Sequence, residues 1–202
     1  EQLRACSQRP LDAMLQPMTK LGAIAEKGDT SATPRILIVG CGAIGGSLAA
    51  SLIYQGHDVT ALTRNESICD AVNLHGFRTQ GESSLGSIAG QARTRLKKNT
   101  SPFDWVLLCT QPPQVEEAAR EVAAHLKVTG NVVCFQNGLC EERVAAIVGE
   151  DRVVGGVVSW GASMPEAGVY DRTSAGGFVV GRPRPSNDPR LHELARMLEC
   201  MG

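Results

Sequence analysis

RILIVGCGAIGGSLAASLIYQGHDVTALTR, residues 35–64, is the stretch that decides the fold. Ile36-Leu37-Ile38-Val39 is an unbroken apolar run of strand length, as a parallel strand covered on both faces requires. It runs into Gly40-Cys41-Gly42-Ala43-Ile44-Gly45. A helix is predicted over Ala43 to Gln55, with Ile44, Leu48, Leu52 and Ile53 on its buried side and Gly56 as its stop. Asp58 to Leu62 reads as a second strand. The unit is therefore strand, glycine turn, helix, strand.

Each glycine of the turn has a physical task in such a unit. Gly40 permits the tight turn, Gly42 clears a side chain from the path of a pyrophosphate, and Gly45 lets the helix pack close to the strand. The amides at the helix N-terminus and the helix dipole then face the phosphates. The spacing alone is a weak signal. Its position between a buried strand and a good helix, with a second strand at the right distance, makes it a dinucleotide-binding turn. Gly46 adds one more small residue at the same contact.

An NAD site usually ends its second strand on Asp or Glu, which accepts from the ribose hydroxyls. Here the strand ends Ala61-Leu62-Thr63-Arg64. A planar guanidinium suits a 2′-phosphate, so Arg64 favours NADP(H) over NAD(H). Glu66 stands close enough to compete for the ribose and keeps NAD as the alternative.

Outward from this unit the alternation continues. Helices are expected at Ser67–Leu74, Val115–Leu126, Glu141–Val148 and Asn187–Cys200. Strands are expected at Phe103–Cys109, Asn131–Phe135 and Arg152–Ser159, with one or two more within Tyr170–Val180. Phe77 to Thr100, rich in Gly, Ser and Thr, is predicted to hold short strands or a ribbon. The fold class is α/β: a Rossmann-type, doubly wound, mainly parallel sheet with helices on both faces. Residues 35–202 form that domain, and residues 1–34 read as an N-terminal extension or linker.

Composition narrows the function classes. The formal net charge is −1, and Arg93, Arg95, Lys97 and Lys98 read as a solvated loop, so no nucleic-acid partner is expected. No apolar run reaches the ~18 residues that span a bilayer, so no membrane partner is expected either. The seven cysteines, Cys6, Cys41, Cys69, Cys109, Cys134, Cys140 and Cys200, show no zinc or redox-pair spacing. Cys109 and Cys134 sit in apolar strands, where cysteine behaves as a small hydrophobe. No metal is expected, and a reducing compartment, the cytoplasm, fits. With two Trp, two Tyr and four Phe, the core must be aliphatic.

In open parallel sheets ligands sit beyond the carboxyl ends of the strands. Three later ends are polar or sharply turned: Cys109 to Gln114, Gln136-Asn137-Gly138, and Ser159 to Ser163. Gln111 and Gln114 are candidate cofactor contacts. Asn137, as part of an Asn-Gly turn, is a candidate for holding the nicotinamide ribose or a substrate hydroxyl. His57 and His125 read as residues near helix ends without a catalytic role.

Together these ends resemble the ketopantoate reductase (2-dehydropantoate 2-reductase) family. The matching stretches are Ile36 to Gly45, Gly56 through Arg64, Asp104 to Gln114, Gln136-Asn137-Gly138-Leu139, Gly155-Gly156 through Gly168-Val169, and Gly177 to Gly181. The resemblance implies an NADPH-dependent reductase delivering hydride to the keto group of a 2-keto acid such as 2-dehydropantoate, in pantothenate and coenzyme A synthesis. Gly40, Cys41, Gly42, Ala43, Ile44 and Gly45 would bind the pyrophosphate, and Arg64 the 2′-phosphate. Asn137 would touch both cofactor and substrate, and Ala162 would make a further cofactor contact. Gln111 stands where the family usually has a lysine, which implies weaker NADP affinity. The family's general-acid lysine belongs to a helical domain expected beyond Gly202, so residues 35–202 by themselves are expected to bind without turnover. A homodimer is compatible with the reading. Two alternatives remain: a non-catalytic NADP(H)-binding module, and another two-domain NAD(P)-dependent dehydrogenase of the opine or 3-hydroxyacid type.

Overall fold

The computed structural model describes residues 33–82 and 84–201. The expected extension, residues 1–34, lies outside them except for Thr33 and Pro34.

β1 (Arg35–Val39) leads through the glycine turn into α1 (Ala43–Tyr54), and β2 (Asp58–Leu62) follows. β1 pairs in parallel with β2, Arg35 opposite Asp58 through Val39 opposite Leu62. On its other side it pairs in parallel with β6 (Phe103–Leu108), Ile36 opposite Trp105 through Val39 opposite Leu108. This central placement explains the unbroken apolar sequence. Both faces of β1 are covered, and Ile36, Leu37 and Ile38 have no exposed surface. Each such side chain contributes about 1.5–3 kcal/mol of burial free energy.

The remaining elements are α2 (Glu66–His75), β3 (Phe77–Gly81), β4 (Gly86–Ile88), β5 (Ala92–Arg93), α3 (Val115–Ala123) and β7 (Leu126–Cys134). After these come α4 (Glu141–Val148), β8 (Val153–Val158), β9 (Ala162–Glu166), β10 (Val169–Arg172), β11 (Phe178–Gly181) and α5 (Pro189–Leu198). The main sheet has the order β11-β8-β7-β6-β1-β2-β5. All its pairings are parallel except β11 with β8. From β1 the chain moves first toward β2 and β5, then back to β6, β7 and β8. The switch in direction lies between β2 and β6, and it opens a crevice at the carboxyl end of β1. One face packs on α1, α2 and α5 around Leu48, Leu52, Val72 and Leu194. The other packs on α3 and α4 around Val115, Val122 and Val144.

A second sheet, β4-β3-β10-β9, was not foreseen as a separate layer. It covers α1 through Tyr170 of β10, whose ring lies where a Cβ on Gly46 would stand, 1.9 Å away. The Phe77 and Tyr170 rings are 5.9 Å apart. Gly46 is thus small because an aromatic ring lies against the helix.

Several boundaries differ from expectation. α3 ends at Ala123 rather than Leu126, and β7 begins at Leu126 rather than Asn131. Leu126 is drawn into the ladder opposite Phe103, and the His125 carbonyl accepts from the Phe103 amide at 2.8 Å. A register shift between Phe103 and Trp105 absorbs this extra length before the apolar run at Asn131. α5 is shorter than predicted because the Asp188 carboxylate caps it, accepting from the Arg190 amide at 2.9 Å, with Pro189 in its first turn.

Candidate functional site

A cleft of about 410 Å³ opens at the crevice between β2 and β6. Gly40, Cys41, Gly42, Arg64 and Gln111 line it, together with Gln114 just before α3. Six predicted cofactor residues therefore meet in one place. Ala43, Ile44 and Gly45 form the first turn of α1 directly behind the lining.

The four glycines of the turn separate by cause. Gly40 has φ +97°, and a Cβ there would meet the Cys109 carbonyl carbon and oxygen at 2.9 Å. Its amide donates to the Leu62 carbonyl at 2.8 Å. A Cβ on Gly45 would lie 1.9 Å from the Gly40 carbonyl oxygen. Gly46 is excluded by Tyr170, as above. Gly42 is different. Its φ of −70° is open to any residue, and a Cβ there meets nothing within 4 Å. The folded chain requires glycine at 40, 45 and 46 but not at 42, which lines the cleft.

The N-terminus of α1 is also distinctive. No side chain caps it, and its first turn holds no acidic residue. The other four described α-helices each have one or the other: α2 the Asn65 cap and Glu66, α3 Glu116 and Glu117, α4 Glu141 and Glu142, α5 the Asp188 cap. The partial positive charge of α1 is thus left facing the cleft. Tyr170 supports the turn from behind, its hydroxyl donating to the Cys41 carbonyl at 3.4 Å. Burial raises the Tyr170 hydroxyl above its ordinary range. Burial pushes the Cys41 thiol up to about 12, and the Cys109 thiol is raised for the same reason. Burial thus favours the neutral thiol at both cysteines.

Arg64 does not stand free at the end of β2. Its two terminal nitrogens lie 2.7 Å from a Glu117 carboxylate oxygen and 3.1 Å from one of Glu121. The bond to Glu117, then that to Glu121, raises the Arg64 pKa further. The same bond from Arg64 lowers Glu117 below the usual carboxylate range. Sequence reasoning missed both glutamates, as well as Thr63, Asn65 and Ala118 in the lining. A signal was present. Gln114, Glu117, Ala118 and Glu121 follow the i, i+3, i+4, i+7 spacing of one helical face, on the helix after the Gln111 loop.

Asn137 and Ala162 lie apart from this cleft. Asn137 is exposed just past β7, followed by Leu139, which is 84% exposed and has a left-handed backbone at φ 54°. Ala162 opens β9, opposite Arg172. Both sit beyond carboxyl ends of the sheet, but not among the lining residues. Among the described residues, Lys127 pairs with Asp104 at 2.8 Å near the start of β7, and Lys97 and Lys98 are exposed in the loop after β5. Arg93 and Arg95 are likewise exposed. The five cysteines 41, 69, 109, 134 and 140 are free. No helix among the described residues is long and apolar enough to cross a membrane, and no metal-ligand cluster is found among them.

Comparison with known proteins places this geometry. Residues 36–185 match the family described as ketopantoate reductase PanE/ApbA. A 2-dehydropantoate 2-reductase of Pyrococcus horikoshii is 30% identical over 148 residues, covering 73% of this chain and 47% of that protein. The Aquifex aeolicus 2-dehydropantoate 2-reductase is 29% identical over 173 residues, covering 83% of this chain and 53% of its own length. Among solved structures, 2-dehydropantoate 2-reductase from Geobacter metallireducens superposes with a TM-score of 0.72 at 28% identity, over 83% of this chain and 56% of that one. D-mandelate dehydrogenase, solved with NADH and anilino(oxo)acetate, shares the fold at a TM-score of 0.73 and 19% identity, over 83% and 55% of the two chains. The chain spans about half the length of the relatives it matches.

Proposed function

From the premise that this chain belongs to the ketopantoate reductase family, we propose that it carries the dinucleotide-binding half of an NADPH-dependent reductase. The reductase acts on the keto group of a 2-keto acid such as 2-dehydropantoate, in the cytoplasm. One observation supports the cofactor more than any other: the chain itself does not require glycine at Gly42. A pyrophosphate lying on the bare backbone there would require it. The uncapped, uncompensated N-terminus of α1 suits the same anion.

In this reading Gly40 to Gly45 hold the pyrophosphate, with the first-turn amides of α1 donating to it. Arg64 stands at the adenosine end, where its guanidinium can take a 2′-phosphate. Gln111 and Gln114 flank the middle of the dinucleotide. Asn137 and Ala162 serve the nicotinamide end and the substrate. A reduced nicotinamide supplies the hydride that a keto carbon accepts. The chain's own share is to bind, orient and keep that end at the rim of the sheet.

Calorimetric titration of the full chain with NADPH tests the reading. Saturable one-to-one binding is the expected result, and no binding at millimolar nucleotide would overturn it. Oxidation of bound NADPH on adding 2-dehydropantoate would separate a working reductase from a binding module without turnover.

A further inference from the structure

Arg64 is the one cationic side chain lining the cleft among the described residues. It is held by two carboxylates, one on each terminal nitrogen. Gln111 and Gln114, which also line the cleft, are neutral. The Arg64–Glu117–Glu121 cluster therefore carries a net negative charge where a 2′-substituent of the adenosine ribose would arrive. Glu121 itself lines the cleft.

The two dinucleotides differ at this spot. A 2′-phosphate brings a charge of about −1.5 to −2 and needs the guanidinium that Glu117 and Glu121 already occupy. A 2′-hydroxyl is neutral and can donate to a carboxylate, the part that Asp or Glu plays at the end of the second strand in NAD sites. Arg64 is 55% exposed and Glu117 64% exposed. Such pairs are weak and solvent-screened, so a phosphate can displace them, but against the repulsion of the carboxylates it displaces.

Resting on the dinucleotide reading above, we propose that Glu117 and Glu121 are specificity-determining residues. They sequester Arg64 and lower the discrimination of this site between NADPH and NADH. Cofactor choice is then set by α3 as much as by the end of β2.

The test uses the full chain, with NADPH and NADH as titrants in calorimetry. The parent is expected to bind the two within about tenfold of each other, a difference of about 1.4 kcal/mol. Glu117→Gln with Glu121→Gln should raise the NADPH:NADH affinity ratio about tenfold or more, and the gain should shrink as salt rises from about 0.05 to about 0.5 M. Glu116→Gln removes a charge from the same helix, but Glu116 pairs with Arg120 and Arg143 instead, so the ratio should stay as in the parent. A double variant whose ratio stays within about twofold of the parent overturns the proposal, as does an equal shift from Glu116→Gln. If the parent binds neither nucleotide, the dinucleotide reading fails, and that result is distinct from an unchanged ratio.

Discussion

The carboxyl ends of β1, β2 and β6 and those of β7 and β8 belong to one sheet, yet they are built to different degrees. At the first set, α1, α3 and two loops converge to wall a cleft, and Thr63, Cys41 and Ile68 are buried beneath it. At the second, Asn137, Gly138 and Leu139 are exposed in sequence, and Leu139 holds a left-handed backbone that a branched side chain rarely adopts. The difference separates binding from chemistry. In the proposed reading, the described residues enclose the phosphate and adenosine end of the dinucleotide and present the reacting end without enclosing it, and hydride chemistry needs a closed, dry site.

Three substitutions probe this contrast, in order of expected size. Gly45→Ala should cost the fold about 3 kcal/mol or more, because its Cβ falls on the Gly40 carbonyl, backbone that cannot swing aside. Thermal unfolding of this variant measures the loss. A melting temperature like the parent's would mean that the helix does not pack on the turn as described. Arg64→Ala comes next. Removing a charge-assisted contact should weaken NADPH by about 1.5–3 kcal/mol, toward the lower end because the carboxylates already share the guanidinium. NADH binding should change far less. Equal losses for both would remove Arg64 from the 2′-phosphate. Asn137→Ala is the smallest. Asn137 lies outside the walled cleft, so affinity for 2′,5′-ADP, which fills only the adenosine end, should stay within about twofold, as distant sites act independently. A larger loss would join the two regions that the geometry separates.

Much of the first region was legible in sequence, for local reasons. The apolar run of β1, the glycines and the helix that follows lie within twenty residues, and their spacing is set by the turn alone. Arg64 was legible in position but not in company. Glu121 reaches it across 57 residues, and helical periodicity gives a face without saying what lies opposite. The second sheet was hidden for a related reason. Its edge strand β4 has three residues, too few to show alternation. β3 pairs in parallel with β10, Arg78 opposite Val169, a contact no local pattern encodes. The boundary between α3 and β7 was missed because Leu126 suits the apolar face of either element, and the ladder with Phe103 decided it.

If the glycine turn is shaped for a bound pyrophosphate, Gly42 is where that shape can be probed without disturbing the fold. The measurement is calorimetric titration of Gly42→Val with NADPH, beside the parent, after confirming that the two unfold at the same temperature. An unchanged melting temperature and a loss of affinity of about a hundredfold or more, about 2.7 kcal/mol, are expected. A Gly42→Val chain that binds NADPH as tightly as the parent would rule out a pyrophosphate on this backbone.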